Sequence, residues 1–134
     1  MITGITHAAI RVTDISKAVE FYSGLLGFPE QFSLTRENGD PWLTYLKVAE
    51  NQFIELFPGA DGIHENPTCS SLVHICLQVD DIQKTYQELT AKGLVAHSEP
   101  KLGADGSWQF WTNDPDGNPI EFHQFTAESR QIVG

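Results

Sequence analysis

Apolar and polar positions alternate along the chain in two different periods, and the changes of period mark out its elements. Ile5 to Val12 is short and rich in β-branched residues. Behind it Asp14 precedes ISKAVEFYSGLL, where Ile15, Ala18, Val19, Tyr22 and Leu26 recur at helical spacing. The pattern predicts a strand and then an amphipathic helix. Asp14 suits its N-terminus, accepting from the free first-turn amides, and Gly27 suits the left-handed position just past its end. Phe28 to Thr35, Trp42 to Val48 and Gln52 to Phe57 then read as three strands, separated by the turn-prone segments ENGDP and AEN.

The same order returns further along. Leu72 to Val79 reads as a strand, Ile82 to Lys92 as a helix behind Asp81, and Val95 to Ser98, Gln109 to Thr112 and Pro119 to Phe125 as strands. NDPDGNP, with its Asp-Pro and Asp-Gly pairs, predicts a tight reversal before the last of these. Pro58 to Ser70, rich in Gly, Pro, Asn and Asp, reads as a linker, and the residues after Arg130 as a frayed tail. The chain is therefore expected to be α+β, βαβββ written twice.

The repetition extends to individual residues. With a shift of 67, THAAIRVTDISKA lies over VHICLQVDDIQKT, with identities at His7/His74, Val12/Val79, Asp14/Asp81, Ile15/Ile82 and Lys17/Lys84. With a shift of 66, QFIELF lies over NPIEFH and pairs Ile54 with Ile120 and Glu55 with Glu121. Self-similarity at a fixed period is a signal of architecture. Here it places a His and a Glu at equivalent points of both halves.

Composition narrows the function classes. The 134 residues are the size of one ordinary domain, and 40% hydrophobic with 8 Phe, 3 Trp and 3 Tyr is globular rather than disordered. Eighteen acidic against eight basic residues give a formal charge of −10, which repels phosphate backbones and anionic membranes, so nucleic acid and membrane are excluded as expected partners. The N-terminal MITGITHAAIRV has no basic stretch leading into a long apolar run, so the expected compartment is the cytoplasm. Two cysteines, Cys69 and Cys76, are a weak basis for a disulfide and are expected to be reduced.

Strand alternation sorts side chains by face. His7 goes with Ala9 and Arg11, His74 with Cys76 and Gln78, Glu55 with Phe53 and Phe57, and Glu121 with His123. The opposite faces are apolar and should pack on the helices. Taken singly, a strand His is usually structural and a strand Glu usually faces water. Two of each at repeat-equivalent points are harder to dismiss, because clustered inward carboxylates repel one another unless a cation compensates them. His7, Glu55, His74 and Glu121 are therefore candidate ligands of one divalent metal, and nitrogen and oxygen donors suit Mn, Fe, Co, Ni or Zn.

The segments HAAIRVTDISKAVEFYSGLLGF, FIELF, VHICLQVDDIQKTYQELTAKG and DPDGNPIEF resemble the vicinal oxygen chelate superfamily, and within it the glyoxalase I (lactoylglutathione lyase-like) branch, over essentially the whole chain. The resemblance implies one domain over 1–134, in which module 1 (5–57), a linker (58–70) and module 2 (71–126) form a curved mixed-sheet cup around the metal, with helices outside. It implies His7, Glu55, His74 and Glu121 as ligands and a homodimer as the assembly. Family dioxygenases and thiol transferases lack a carboxylate ligand at the place of Glu55, and family epimerases typically carry Gln there. A Glu at that position therefore implies isomerase-type chemistry.

That chemistry is proton abstraction next to a carbonyl through an enediolate, on a small 2-oxo or 2-hydroxy compound such as a glutathione hemithioacetal. Glu121 is expected to be the base and Glu55 mainly a ligand. Arg11 could hold a substrate carboxylate through two parallel hydrogen bonds, with a structural ion pair as its other reading. Cys76 and His123 share faces with ligands and are further candidates for substrate contact. Bacterial glyoxalase I keeps an Asn four residues beyond the second ligand, where this chain has Gly59. A metal-poor ligand-binding protein, an epimerase and a dioxygenase are the alternatives on the same scaffold.

Overall fold

The computed structural model describes residues 1, 3–62 and 73–134, and divides the chain into two compact units, Met1–Ile63 and His64–Gly134. Most of the expected linker lies outside the described residues. In the first unit β1 (His7–Val12), β2 (Glu30–Thr35), β3 (Pro41–Ala49) and β4 (Gln52–Pro58) make one four-stranded sheet in the order β1-β4-β3-β2. In the second, β5 (Ile75–Gln78), β6 (Lys101–Leu102), β7 (Trp108–Asn113) and β8 (Pro119–Gln124) make another in the order β5-β8-β7-β6. In each sheet the first strand pairs with the last in parallel and the remaining pairs are antiparallel. The fold is α+β, βαβββ in each unit.

The helices begin where the acids predicted. α1 (Ile15–Val19) is capped by Asp14, whose Oδ1 accepts from the amides of Ser16 and Lys17 at 2.9 and 3.1 Å. Asp81 does the same for α2 (Ile82–Ala91), accepting from the Lys84 amide at 2.9 Å. Gly27 and Gly93 follow the helical segments with φ of 83° and 103°, a backbone that L side chains rarely adopt. Expected and observed helices differ in one respect. After Val19 the first becomes π-helical over Glu20–Leu25, with the Leu26 amide donating to the Phe21 carbonyl five residues back. Apolar spacing alone does not separate such a widened turn from an α-turn.

One face of each sheet is covered by its helices. Ile10, Val12, Ala18, Tyr22, Leu46, Ile54 and Leu56 are buried in the first unit, and Leu77, Ile82, Leu89, Phe110, Ile120 and Phe122 in the second. Phe110 stacks on Phe122 with centroids 4.5 Å apart and meets Tyr86 edge-on at 5.4 Å. Burying one such side chain is worth roughly 1.5–3 kcal/mol. The strand faces predicted to be apolar are thus the ones that pack, which leaves the His and Glu positions on the opposite faces.

Two expectations in the second unit are corrected. Val95 to Ser98 is not a strand: the His97 amide donates to the Trp111 carbonyl and Thr112 Oγ1 to the Val95 carbonyl, both at 2.8 Å, but the ladder with β7 forms only at Lys101–Leu102. Pro100, lacking an N–H, separates the two stretches. The tail is also more than a frayed end. Arg130–Val133 forms α3, the Arg130 amide donates to the Asp105 carbonyl at 2.8 Å, and fully buried Ser129 bonds Ser107 at 2.7 Å.

The reversal before β8 is built as predicted. Asp114 Oδ1 accepts from the amides of Asp116 and Asn118 at 2.9 and 2.8 Å, and its Oδ2 from the Asn118 side-chain amide at 2.9 Å. This turn sets the β7–β8 register, in which Trp111 stands opposite Glu121. Among the described residues no helix is long and apolar enough to cross a membrane.

Candidate functional site

The parallel pairing of first and last strands creates the same arrangement in both units. In the first, Ala9 lies opposite Glu55, so His7, two residues earlier, shares its face and its Nε2 reaches to 3.5 Å from Glu55 Oε2. In the second, Cys76 lies opposite Glu121, and His74, one residue ahead of β5, brings its Nε2 to 3.3 Å from Glu121 Oε2. Both carboxylates belong to residues only 8% exposed, while the His7 and His74 side chains are 40% and 34% exposed. Each unit presents an accessible imidazole against a shielded carboxylate.

A third side chain completes each pair. Tyr45 stands opposite Glu55 in the β3–β4 register and lies edge to face with His7, centroids 5.7 Å apart. Trp111 stands opposite Glu121 and lies edge to face with His74 at 4.9 Å. Desolvation, then a hydrogen bond to Glu55 and its negative charge, raises the Tyr45 phenol above its ordinary pKa. Neither aromatic stands out when strand aromatics are read as core filling. The shift of 66 pairs Tyr45 with Trp111 and would have found them.

Beyond these trios the faces diverge. Where the first unit has Ala9 and Phe57 the second has Cys76 and His123, with Cys76 Sγ 3.5 Å from His123 Nδ1. Desolvation, then the charge of Glu121, pushes the Cys76 thiol up to about 12. His123 is 7% exposed, and its Nε2 is 3.3 Å from Asp105 Oδ2, too poorly aligned to count as a hydrogen bond. Asp105 is held below the usual carboxylate range by a hydrogen bond from Gln131 and by the Ser107 amide. Its place in the turn segment LGADGSW carries no sequence signal of this role.

Arg11 is exposed and occupied within its own sheet. Its Nη1 donates to the Pro58 carbonyl at 3.2 Å and its guanidinium lies 5.8 Å from the Phe57 ring centroid. Among the described residues these contacts are with a carbonyl and a ring, and no carboxylate lies within ion-pair distance of the guanidinium. The remaining donors of the guanidinium are free of that bond by its chemistry.

Each His–Glu pair, taken within its own unit, offers donors that suit a divalent cation. Among the described residues, the only basic group within ion-pair distance of either buried carboxylate is its His. A desolvated carboxylate without Lys or Arg is stabilised by a proton or a bound cation. Imidazole nitrogens and carboxylate oxygens are donors that first-row divalent metals accept.

The profile of the Glyoxalase/Bleomycin resistance protein/Dioxygenase superfamily matches residues 4–122. The chain is 30% identical over 128 residues to a probable lactoylglutathione lyase of Vibrio cholerae, covering 90% of this chain and 89% of that one. It is 28% identical over 108 residues to the mitochondrial methylmalonyl-CoA epimerase of Homo sapiens, covering 76% of this chain and 61% of that one. Among solved structures, a glyoxalase family protein from Enterococcus faecalis superposes with a TM-score of 0.77 at 26% identity, over 90% of this chain and 96% of that one.

Proposed function

Since the chain belongs to the Glyoxalase/Bleomycin resistance protein/Dioxygenase superfamily, we propose that it is a metal-dependent lyase or isomerase that moves a proton next to a carbonyl. The observation that carries this reading is the doubled pair: His7 against Glu55 at 3.5 Å and His74 against Glu121 at 3.3 Å, with both carboxylates buried. These four residues would hold one divalent ion, of Ni, Zn, Mn, Co or Fe. Bound there, it supplies Lewis acidity that stabilises negative charge developing on vicinal substrate oxygens.

The chain's residues do the proton chemistry. Glu121 removes the carbon-bound proton and returns it to the adjacent carbon, while Glu55 serves mainly as a ligand. Removing and returning a proton by a positioned carboxylate is worth about 10²–10⁴-fold in rate. Cys76 and His123 lie on the face of Glu121 and would contact substrate beside it. Arg11, with donors to spare beyond its bond to Pro58, would hold a substrate carboxylate.

The substrate class is a small 2-oxo or 2-hydroxy compound, a glutathione hemithioacetal being one candidate. Gly59 takes the place of the Asn that the resemblance associates with glutathione. The epimerase relative at 28% identity favours a second reading that begins with the same proton removal but returns the proton to the same carbon, next to a thioester. Elemental analysis followed by a hemithioacetal assay tests the first reading. Bound metal with turnover supports it, bound metal without turnover keeps the site and discards that substrate, and neither metal nor turnover defeats the enzymatic reading. Deuterium uptake from heavy water into an acyl-CoA, without net conversion, would favour the epimerase.

The assembly proposed is a homodimer. Mixing inactive His7→Ala and His74→Ala chains tests whether partners share ligand sets, since activity returns only if one intact set can be assembled from two chains.

A further inference from the structure

Beside Glu121 the second unit holds two side chains, Cys76 and His123, that the first unit lacks and to which the proton-transfer reading gives no proton to move. The β5–β8 register puts Cys76 opposite Glu121 and Gln78 opposite His123, so that Cys76, Glu121 and His123 project from one face. Their ligand atoms all lie within 4.8 Å of one another, and Cys76 Sγ is 3.5 Å from His123 Nδ1. His123 is more than nine-tenths buried; its Nε2 faces Asp105 Oδ2 at 3.3 Å, without a hydrogen bond among the described residues, which leaves Nδ1, the nitrogen beside Cys76, as the ligand atom. Cys76 is exposed, which leaves the group accessible from outside.

A thiol, an imidazole and a carboxylate gathered this closely are a donor set for zinc, which takes sulfur, nitrogen and oxygen at short distances and tolerates three protein ligands with a fourth position open. Among the described residues, Glu121 has His74 and no Lys or Arg as its ion-pair partner, so no fixed cation competes for the place. The repeat supplies an internal control. Ala9 and Phe57 stand where the second unit has Cys76 and His123, so the equivalent place in the first unit offers Glu55 alone.

We infer that Cys76, Glu121 and His123 form a thiolate-containing zinc site within the second unit, separate from the His7/Glu55/His74/Glu121 set and sharing only Glu121 with it. On binding, the Cys76 thiol gives up its proton to solvent and the sulfur takes the ion. None of its ligands comes from the first unit, so its test stands or falls without the His7/Glu55 pair.

The test uses cobalt as a coloured stand-in for zinc, in metal-free full-length protein carrying Cys69→Ser so that Cys76 is the sole thiol. Added Co2+ is expected to produce a near-ultraviolet thiolate-to-cobalt band, which stoichiometric Zn2+ abolishes. The band should survive His7→Ala and Glu55→Ala, which break the other ligand set, and weaken in His123→Ala. Absence of the band, or its loss in His7→Ala or Glu55→Ala, overturns the inference. If His123→Ala does not fold, the unsubstituted site gives a second reading. Stoichiometric Zn2+ should protect Cys76 from maleimide alkylation in both the Cys69→Ser protein and its Glu55→Ala derivative, and alkylation at an unchanged rate overturns the inference.

Discussion

Trp111 meets His74 edge to face, with ring centroids 4.9 Å apart and planes at 77°. An indole so close to an imidazole reports on what the imidazole binds. Adding the preferred divalent metal to metal-free protein is therefore expected to change tryptophan emission. Trp111→Phe should remove most of that change, leaving Trp42 and Trp108 as a steady background. A response untouched by Trp111→Phe would mean that His74 does not take the metal.

The two carboxylates are expected to fail differently. Glu121→Gln should lower kcat by about 10²–10⁴-fold, the range for a lost general base, with metal still retained. Glu55→Gln should chiefly raise the metal concentration needed for half-maximal activity, with a smaller loss at saturating metal. Metal titrations of both variants at saturating substrate check this, and the reverse pattern would exchange the two roles.

The Cys76 thiol, raised from 9.0 to about 12 by desolvation and the charge of Glu121, should be slow to alkylate in metal-free protein. At about pH 8 its thiolate fraction is roughly a thousandfold below that of an unperturbed thiol. Alkylation of the Cys69→Ser protein should accelerate by a comparable factor on unfolding in denaturant. The linkage has a definite sign. Because the folded state holds this proton more tightly, the contribution to stability is complete below about pH 9 and is lost as pH rises towards about 12.

Helix caps and core rings offer a calibration of stability. Asp14→Ala and Asp81→Ala should each cost about 1 kcal/mol by loss of an N-cap. Phe110→Ala should cost about 3–5 kcal/mol, since the ring is fully buried against Phe122 and Tyr86. Urea titrations that rank a cap above the ring would contradict the packing described.

Much of this is legible in the sequence. Asp14, Asp81, Gly27 and Gly93 have local causes, a side-chain oxygen for free amides and a backbone free to turn left-handed, and local causes are written in local sequence. The burial of Ile54 and Ile120, on the faces opposite the imidazoles, follows from alternation alone. What escaped depended on distant neighbours. The widened turn after Val19, the displaced β6 and the anchored tail each reflect hydrogen-bond choices that propensity does not encode. Asp105 illustrates this most clearly, since nothing in a Gly-rich turn announces an acid 3.3 Å from His123.

The anchoring of α3 has a practical consequence for anyone handling the protein. Asp105 accepts from the Arg130 amide through its carbonyl and from the Gln131 side chain through its carboxylate, and that carboxylate is the one beside His123. A truncation before Arg130 would release both restraints at once. An affinity tag fused directly after Gly134 would pull on the same short helix. Recombinant material carrying its tag at the other terminus, with a cleavable spacer, is the form in which the imidazole of His123 should be studied.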